Sequence, residues 1–138
     1  MPDFSRLYNY FYLVKTSLWD YLRTFFSFFH IKLHCFFILL ANLAAWFSVY
    51  YINRHVSQDL VVLHYNVDFG VNLIGSAKQL YTLPLIGTIV FLVNIIISII
   101  FVRQDNFKFI SQVLLITVLF THFFLLTAIA SLYLINFR

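Results

Sequence analysis

The sequence predicts an all-α membrane protein. Three transmembrane helices form its body, an N-terminal amphipathic interfacial helix precedes them, and a short β-like loop lies outside the membrane. Three observations carry this. Of 138 residues, 62% are hydrophobic and 10% charged, whereas a soluble domain is usually about half apolar and a quarter charged. Three apolar stretches are each long enough to cross the hydrocarbon, which takes about 20 residues. The segment between the first two is polar and alternates at strand period. Spans of that length leave room for one membrane domain, residues 1–138, and no second soluble domain.

Residues 1–30 are amphipathic at helical period. Phe4, Leu7, Phe11, Val14, Leu18, Leu22, Phe25 and Phe29 recur at steps of three and four. Ser5, Arg6, Asn9, Thr16, Ser17, Asp20, Arg23, Thr24 and Ser27 fall on the opposite face. At about 100° per residue only Lys15 strays to the apolar side, and a lysine snorkels from there. The polar face is mixed rather than strongly basic. That pattern suits a helix lying in the plane of the interface, or one packed against the spans.

The first span covers residues 33–52 and carries no charge. Trp46, Tyr50 and Tyr51 gather toward its far end, as an aromatic belt does. This run is too long and starts too late to be a cleavable signal peptide. The second span covers 80–102, with Pro84 near its start, where a missing N–H is best tolerated. The third covers 109–135. The short connection through Arg103, Asp105 and Lys108 makes spans two and three antiparallel neighbours.

The net charge is +4 and there is no glutamate. Thinly spread positive charge argues against a nucleic-acid partner and suits a face near anionic lipid. Arg6, Lys15, Arg23, Lys32, Arg103 and Lys108 would share one side of the membrane; Arg54, Lys78 and Arg138 would share the other. The positive-inside rule then places the N-terminus in the cytoplasm and the C-terminus outside. The single cysteine, Cys35, begins an apolar run and reads as a small buried hydrophobe.

Each span has a polar residue near mid-depth: Asn42, Asn94 and His122. Such groups need partners in hydrocarbon, so they should point inward. A shared cluster would serve either as a proton or ligand site centred on His122 or as hydrogen bonding that fixes the packing. The packing reading is favoured, since no intramembrane carboxylate or second mid-depth histidine accompanies the trio. Small residues fit it. Ala41, Ala45 and Ser48 line one face of span one; Gly87, Asn94 and Ser98 lie close to one face of span two; Thr117, Thr121, Ala128 and Ser131 line one face of span three. Small faces let membrane helices approach closely.

The loop spans residues 53–79. In it Val61, Leu63, Tyr65, Val67 and Phe69 alternate with Val62, His64, Asn66 and Asp68, and Gly70 and Gly75 punctuate a turn. His64 and Asp68 would share one side of a strand, with His55 upstream. His64, Tyr65, Asn66 and Asp68 are the candidate loop site. A metal needs three or four convergent ligands, more than this set offers, so no metal is expected. A nucleophile–base pair, a phosphate cradle and a metalloprotease motif are all missing from the sequence. No cofactor and no enzymatic activity are therefore expected.

The run Leu63-His64-Tyr65-Asn66, followed by Gly70, Gly75, Lys78 and Pro84, resembles a family of short bacterial membrane domains of unknown function. That family is similar to the N-terminal part of Sdp-type immunity proteins. The resemblance covers about Leu60 to Val102; Val62 stands where members tend to carry a proline. It implies an outside strand leading into a transmembrane helix, and a bacterial inner membrane.

The expected function is non-enzymatic: an accessory or structural subunit of a larger membrane complex, with other membrane subunits or further copies of the chain as partners in the lipid bilayer. Aromatic surface on the N-terminal helix would add contact area for a partner. Two other readings belong to different classes. One is a sensor or immunity protein that binds a ligand at the outer loop. The other is a small transporter or channel component that uses the mid-depth trio.

Overall fold

A computed structural model describes residues 4–56, 60–66, 68 and 70–137, and their side chains except at 4–11, 14, 64–66 and 70–72. The chain forms α1 (Phe4–Phe25), α2 (Phe29–His55), β1 (Leu60–Asn66), β2 (Gly70–Ser76), a 3₁₀ turn (Ala77–Tyr81), α3 (Thr82–Ile100) and α4 (Phe107–Asn136). Three of its helical segments are long and apolar enough to cross a membrane. The chain is thus a multi-pass membrane protein of the expected class.

The N-terminal helix is shorter than the periodicity suggests. It stops at Phe25, and Phe28 adopts an extended conformation (φ −82°, ψ 125°) that caps the start of α2. Ser27 Oγ donates to Thr24 O at 2.7 Å and closes the intervening turn. Phe29 therefore belongs to α2 and not to the apolar face of α1. Phe4, Leu7, Phe11 and Val14 have side chains outside the described residues. Leu18 is exposed, whereas Phe25 is fully buried.

α2 contains no glycine or proline to interrupt it, and Arg54 sits in its last turn, where a cation complements the helix dipole. Val56 turns extended (ψ 117°) and ends it. Pro84 is the third residue of α3, where its missing N–H has no helical acceptor to lose. α4 packs most extensively on α2, and α3 leans on α4.

Among the described residues the bundle holds two apolar cores. One comprises Phe25, Ile31, Cys35, Ile38, Val102, Phe107, Leu115 and Val118 and lies at the end where α3 turns into α4. Cys35 is buried there as a free thiol. The other comprises Ala45, Val49, Ile52, Val61, Leu80 and Ile129 and lies at the hairpin end. Phe36, Leu43, Phe47, Ile96, Phe120 and Phe123 face outward. So large an apolar exterior suits lipid as the solvent.

The small face of α4 differs from its expected role. Thr117, Ala128 and Ser131 are exposed, and the helix instead turns Ser111, Leu115, Val118, His122 and Ile129 into the bundle. Bulk explains the choice: the longer apolar side chains fill the space between helices, which a small-residue stripe would leave empty.

The segment between α2 and α3 contains an antiparallel hairpin, β1 paired with β2. Val62 faces Ile74 and His64 faces Leu73, so Leu63 is passed over; Tyr65 then faces Val71, which passes over Asn72. These two irregularities break the period-two alternation read from the sequence. Gly75 permits the close approach that follows: a Cβ there would collide with Gln79 Oε1 and the Leu63 side chain. A two-stranded hairpin is marginal by itself; one asparagine ties this one to the bundle and a second ties down the 3₁₀ turn that follows it. Asn53 Nδ2 donates to Ala77 O at 3.0 Å. Asn136 accepts from Val62 N–H at 2.8 Å and donates to Val62 O at 3.0 Å.

Candidate functional site

Between the two apolar cores lies a polar layer. α2 supplies Asn42 and, one turn on, Trp46; α3 supplies Thr88; α4 supplies His122. His122 is 1% exposed and Asn42 8%. Both would be costly at this depth without partners.

The hydrogen bonds have a consistent direction. His122 Nδ1 lies 2.9 Å from Val118 O. A carbonyl only accepts, so Nδ1 carries the proton and donates to it. His122 Nε2 is then an acceptor, and Asn42 Nδ2 donates to it at 3.0 Å. The second N–H of the same amide donates to Thr88 Oγ1 at 3.1 Å. Trp46 Nε1 donates to that oxygen as well, at 3.2 Å. The Thr88 hydroxyl hydrogen points to Pro84 O at 2.9 Å, with Asn42 Oδ1 further off at 3.3 Å. One network thus joins all three spans.

Gly87 makes the approach possible. A Cβ at this position would stand 3.1 Å from His122 Nε2 and 3.1 Å from the end of Leu125. The absence of a side chain lets α3 settle against the imidazole.

The structure brings together two of the three residues expected at mid-depth. Asn94 is the correction. It is half-buried, and its amide donates to Val90 O in its own helix at 2.8 Å. Six residues separate it from Thr88, about 9 Å along a helix axis. Thr88 takes the place assigned to Asn94. The available signal was its position beside Gly87 and one turn after Pro84, at the depth that an antiparallel partner of Asn42 requires. Trp46, read as a belt residue, is also a donor within the network.

The loop candidates divide differently. His64, Tyr65 and Asn66 lie on the backbone of β1, with side chains outside the described residues. Asp68 is an exposed turn residue beyond the end of β1, so it does not continue a strand face with His64. His55, upstream, ends α2, and its ring stacks on Tyr51 at 4.1 Å. Among the described residues no three His, Cys, Asp or Glu side chains gather.

Two shallow grooves flank the hairpin end. One, of about 630 Å³, runs between α2 and α4 and is lined mainly by Phe47, Tyr51, Leu126 and Tyr133. The other, of about 640 Å³, lies between the hairpin, α3 and α4, where Gln79, Thr82 and Ser131 break an otherwise leucine-rich wall. Neither is lined by Asn42, Thr88 or His122. Comparison with protein-family models, with curated proteins and with solved structures returned no match.

Proposed function

We propose that this chain is a non-enzymatic accessory or structural subunit of a larger membrane complex. The observation that supports it most is the outward face of α4. Thr117, Ala128 and Ser131 are exposed on it, and Phe124 projects from the same side. The hydroxyls there already donate to their own helix: Thr117 to Val113 O and Ser131 to Thr127 O, each at 2.9 Å. Such a face presents hollows and a ring with no unmet polar group, which is the surface a neighbouring helix packs against. The mid-depth network favours the same reading. Its polar atoms are spent on one another and on helix carbonyls, as in a structural lock.

The orientation belongs to this proposal too: N-terminus cytoplasmic, C-terminus outside, in a bacterial inner membrane. The distribution of charge supports the topology. Lys15, Arg23, Lys32, Arg103 and Lys108 lie at the end opposite the hairpin, which among the described residues carries Arg54 and Lys78.

Gentle detergent extraction followed by native mass measurement tests the assignment. Foreign membrane subunits should be present in stoichiometric amounts, and Ala128→Trp should strip them while leaving the melting temperature of the chain unchanged. A lone monomer or a pure homo-oligomer would end the accessory reading.

A further inference from the structure

α1 has 22 residues, about 33 Å of helix, and among the described residues it leans on the rest of the chain through its last turns. There Phe25 is fully buried, its ring 6.1 Å from that of Phe107. Tyr21 lies under the Arg103 guanidinium, 4.3 Å from ring centroid to Cζ. Arg103 lies in the α3–α4 connection and Phe107 opens α4, so α1 leaves the bundle where two spans end, at the level of a membrane boundary.

The exposed described residues of α1 form two unlike faces. Leu18 and Leu22 share the side of Phe25, while Thr16, Asp20 and Thr24 lie opposite, and all five are exposed. Trp19, 67% exposed, stands at the edge of the apolar face, where an indole sits at an interface. Lys15 is placed to snorkel from the apolar side, and Leu13 is the one described leucine on the polar side.

Among the described residues the charge at this end is one-sided. Lys15, Arg23, Lys32, Arg103 and Lys108 are exposed, against Asp20 and Asp105. The α1–α2 corner holds two of the cations over aromatic rings, Arg103 on Tyr21 and Lys108 on Phe28 at 5.7 Å. A cation resting on a ring keeps its remaining N–H groups directed outward.

We propose that α1 is seated on an anionic lipid surface, with Leu18 and Leu22 in the headgroup–acyl boundary. Arg23, Arg103 and Lys108 bind the phosphates of the same leaflet. A zwitterionic surface offers the apolar contact without net charge, so seating depends on anionic lipid. This inference uses the membrane topology alone and stands whether or not the chain has partner subunits.

Spin labels at single cysteines in the full chain, on a Cys35→Ala background, provide the test. Nanodiscs of equimolar phosphatidylglycerol and phosphatidylcholine are compared with phosphatidylcholine alone. In the mixed discs, labels at 18 and 22 should collide with oxygen in preference to a water-soluble nickel chelate, and labels at 16 and 20 should do the reverse. The contrast should weaken in phosphatidylcholine alone. Each of Arg23→Gln, Arg103→Gln and Lys108→Gln should lower the seated-to-unseated ratio about fivefold, the effect of one cation at an anionic surface. Equal contrast in both lipids would overturn the proposal. So would a label at 18 shielded from both reagents, which means protein covers it, or one open to the nickel chelate. The native-cysteine chain gives an independent reading by native mass: it should retain phosphatidylglycerol over phosphatidylcholine, and Arg103→Gln with Lys108→Gln should erase that preference. Retention without preference would overturn it equally.

Discussion

Asn42 Nδ2 stands 3.0 Å from His122 Nε2, a bond between residues 80 apart that joins the first span to the third. The two elements it links have the most extensive packing in the bundle. A double-mutant cycle should therefore detect it. Asn42→Ala and His122→Ala, separately and together, should show a coupling between about 0.6 kcal/mol, the average for interhelical bonds in membranes, and about 1.7 kcal/mol, the largest measured. Reversible unfolding in mixed micelles measures it. Additive single effects would mean that the bond contributes nothing.

Asn94 provides the contrast. Its amide is satisfied by Val90 O within α3 and links no second helix. Asn94→Leu should change stability by no more than about 0.5 kcal/mol. Asn42→Leu should lose about 1 to 3 kcal/mol, because it strips both Thr88 and His122 of a partner. A larger loss at position 94 than at 42 would contradict the arrangement of the layer.

Gly87 tests how tightly α3 is seated. Alanine is favoured over glycine in a helix by about 1 kcal/mol. Against this, the new methyl would press on a hydrogen-bonded imidazole 3.1 Å away, and overpacking typically costs about 1 to 3 kcal/mol. The ring is held at both nitrogens, so it yields little. The melting temperature should fall for Gly87→Ala and fall further for Gly87→Val. A rise for the alanine variant would show that the imidazole can move aside.

The parts of this fold legible in the sequence are those set by solvent. Apolar runs, the strand-period loop and the N-terminal helix all follow from the periodicity with which a segment's apolar residues recur. What escaped is set by how helices are placed against one another. Asn94 is the more conspicuous polar residue of span two, yet Thr88 reaches Asn42, because the axial register of antiparallel helices decides which residues meet. The rotation of α4 likewise turns Ser111 and His122 inward and Thr117 and Ser131 outward, because in lipid a stripe of small residues does not by itself mark the buried face. The passage over Leu63 and Asn72 in the hairpin is a matter of pairing between strands, and either strand read alone shows only alternation.

Asn136, in the last turn of α4, is the residue whose role the sequence least suggests. Its side chain treats Val62 as a neighbouring strand would, accepting from the N–H and donating to the C=O. It thereby holds the middle of β1 to the end of the third span, beside the irregular stretch of the ladder. Asn136→Ala removes both bonds, and at about 1 kcal/mol per bond the Val62 amide should exchange with solvent at least roughly fivefold faster. Asn53→Ala acts elsewhere, freeing the 3₁₀ turn from α2 by loss of the bond to Ala77 O. It should leave Val62 protected while the amides near the start of α3 speed up. Hydrogen exchange read by mass spectrometry resolves the two segments. Unchanged protection of Val62 in Asn136→Ala would show that pairing with β2 suffices to hold the strand, and that the clamp from α4 is incidental.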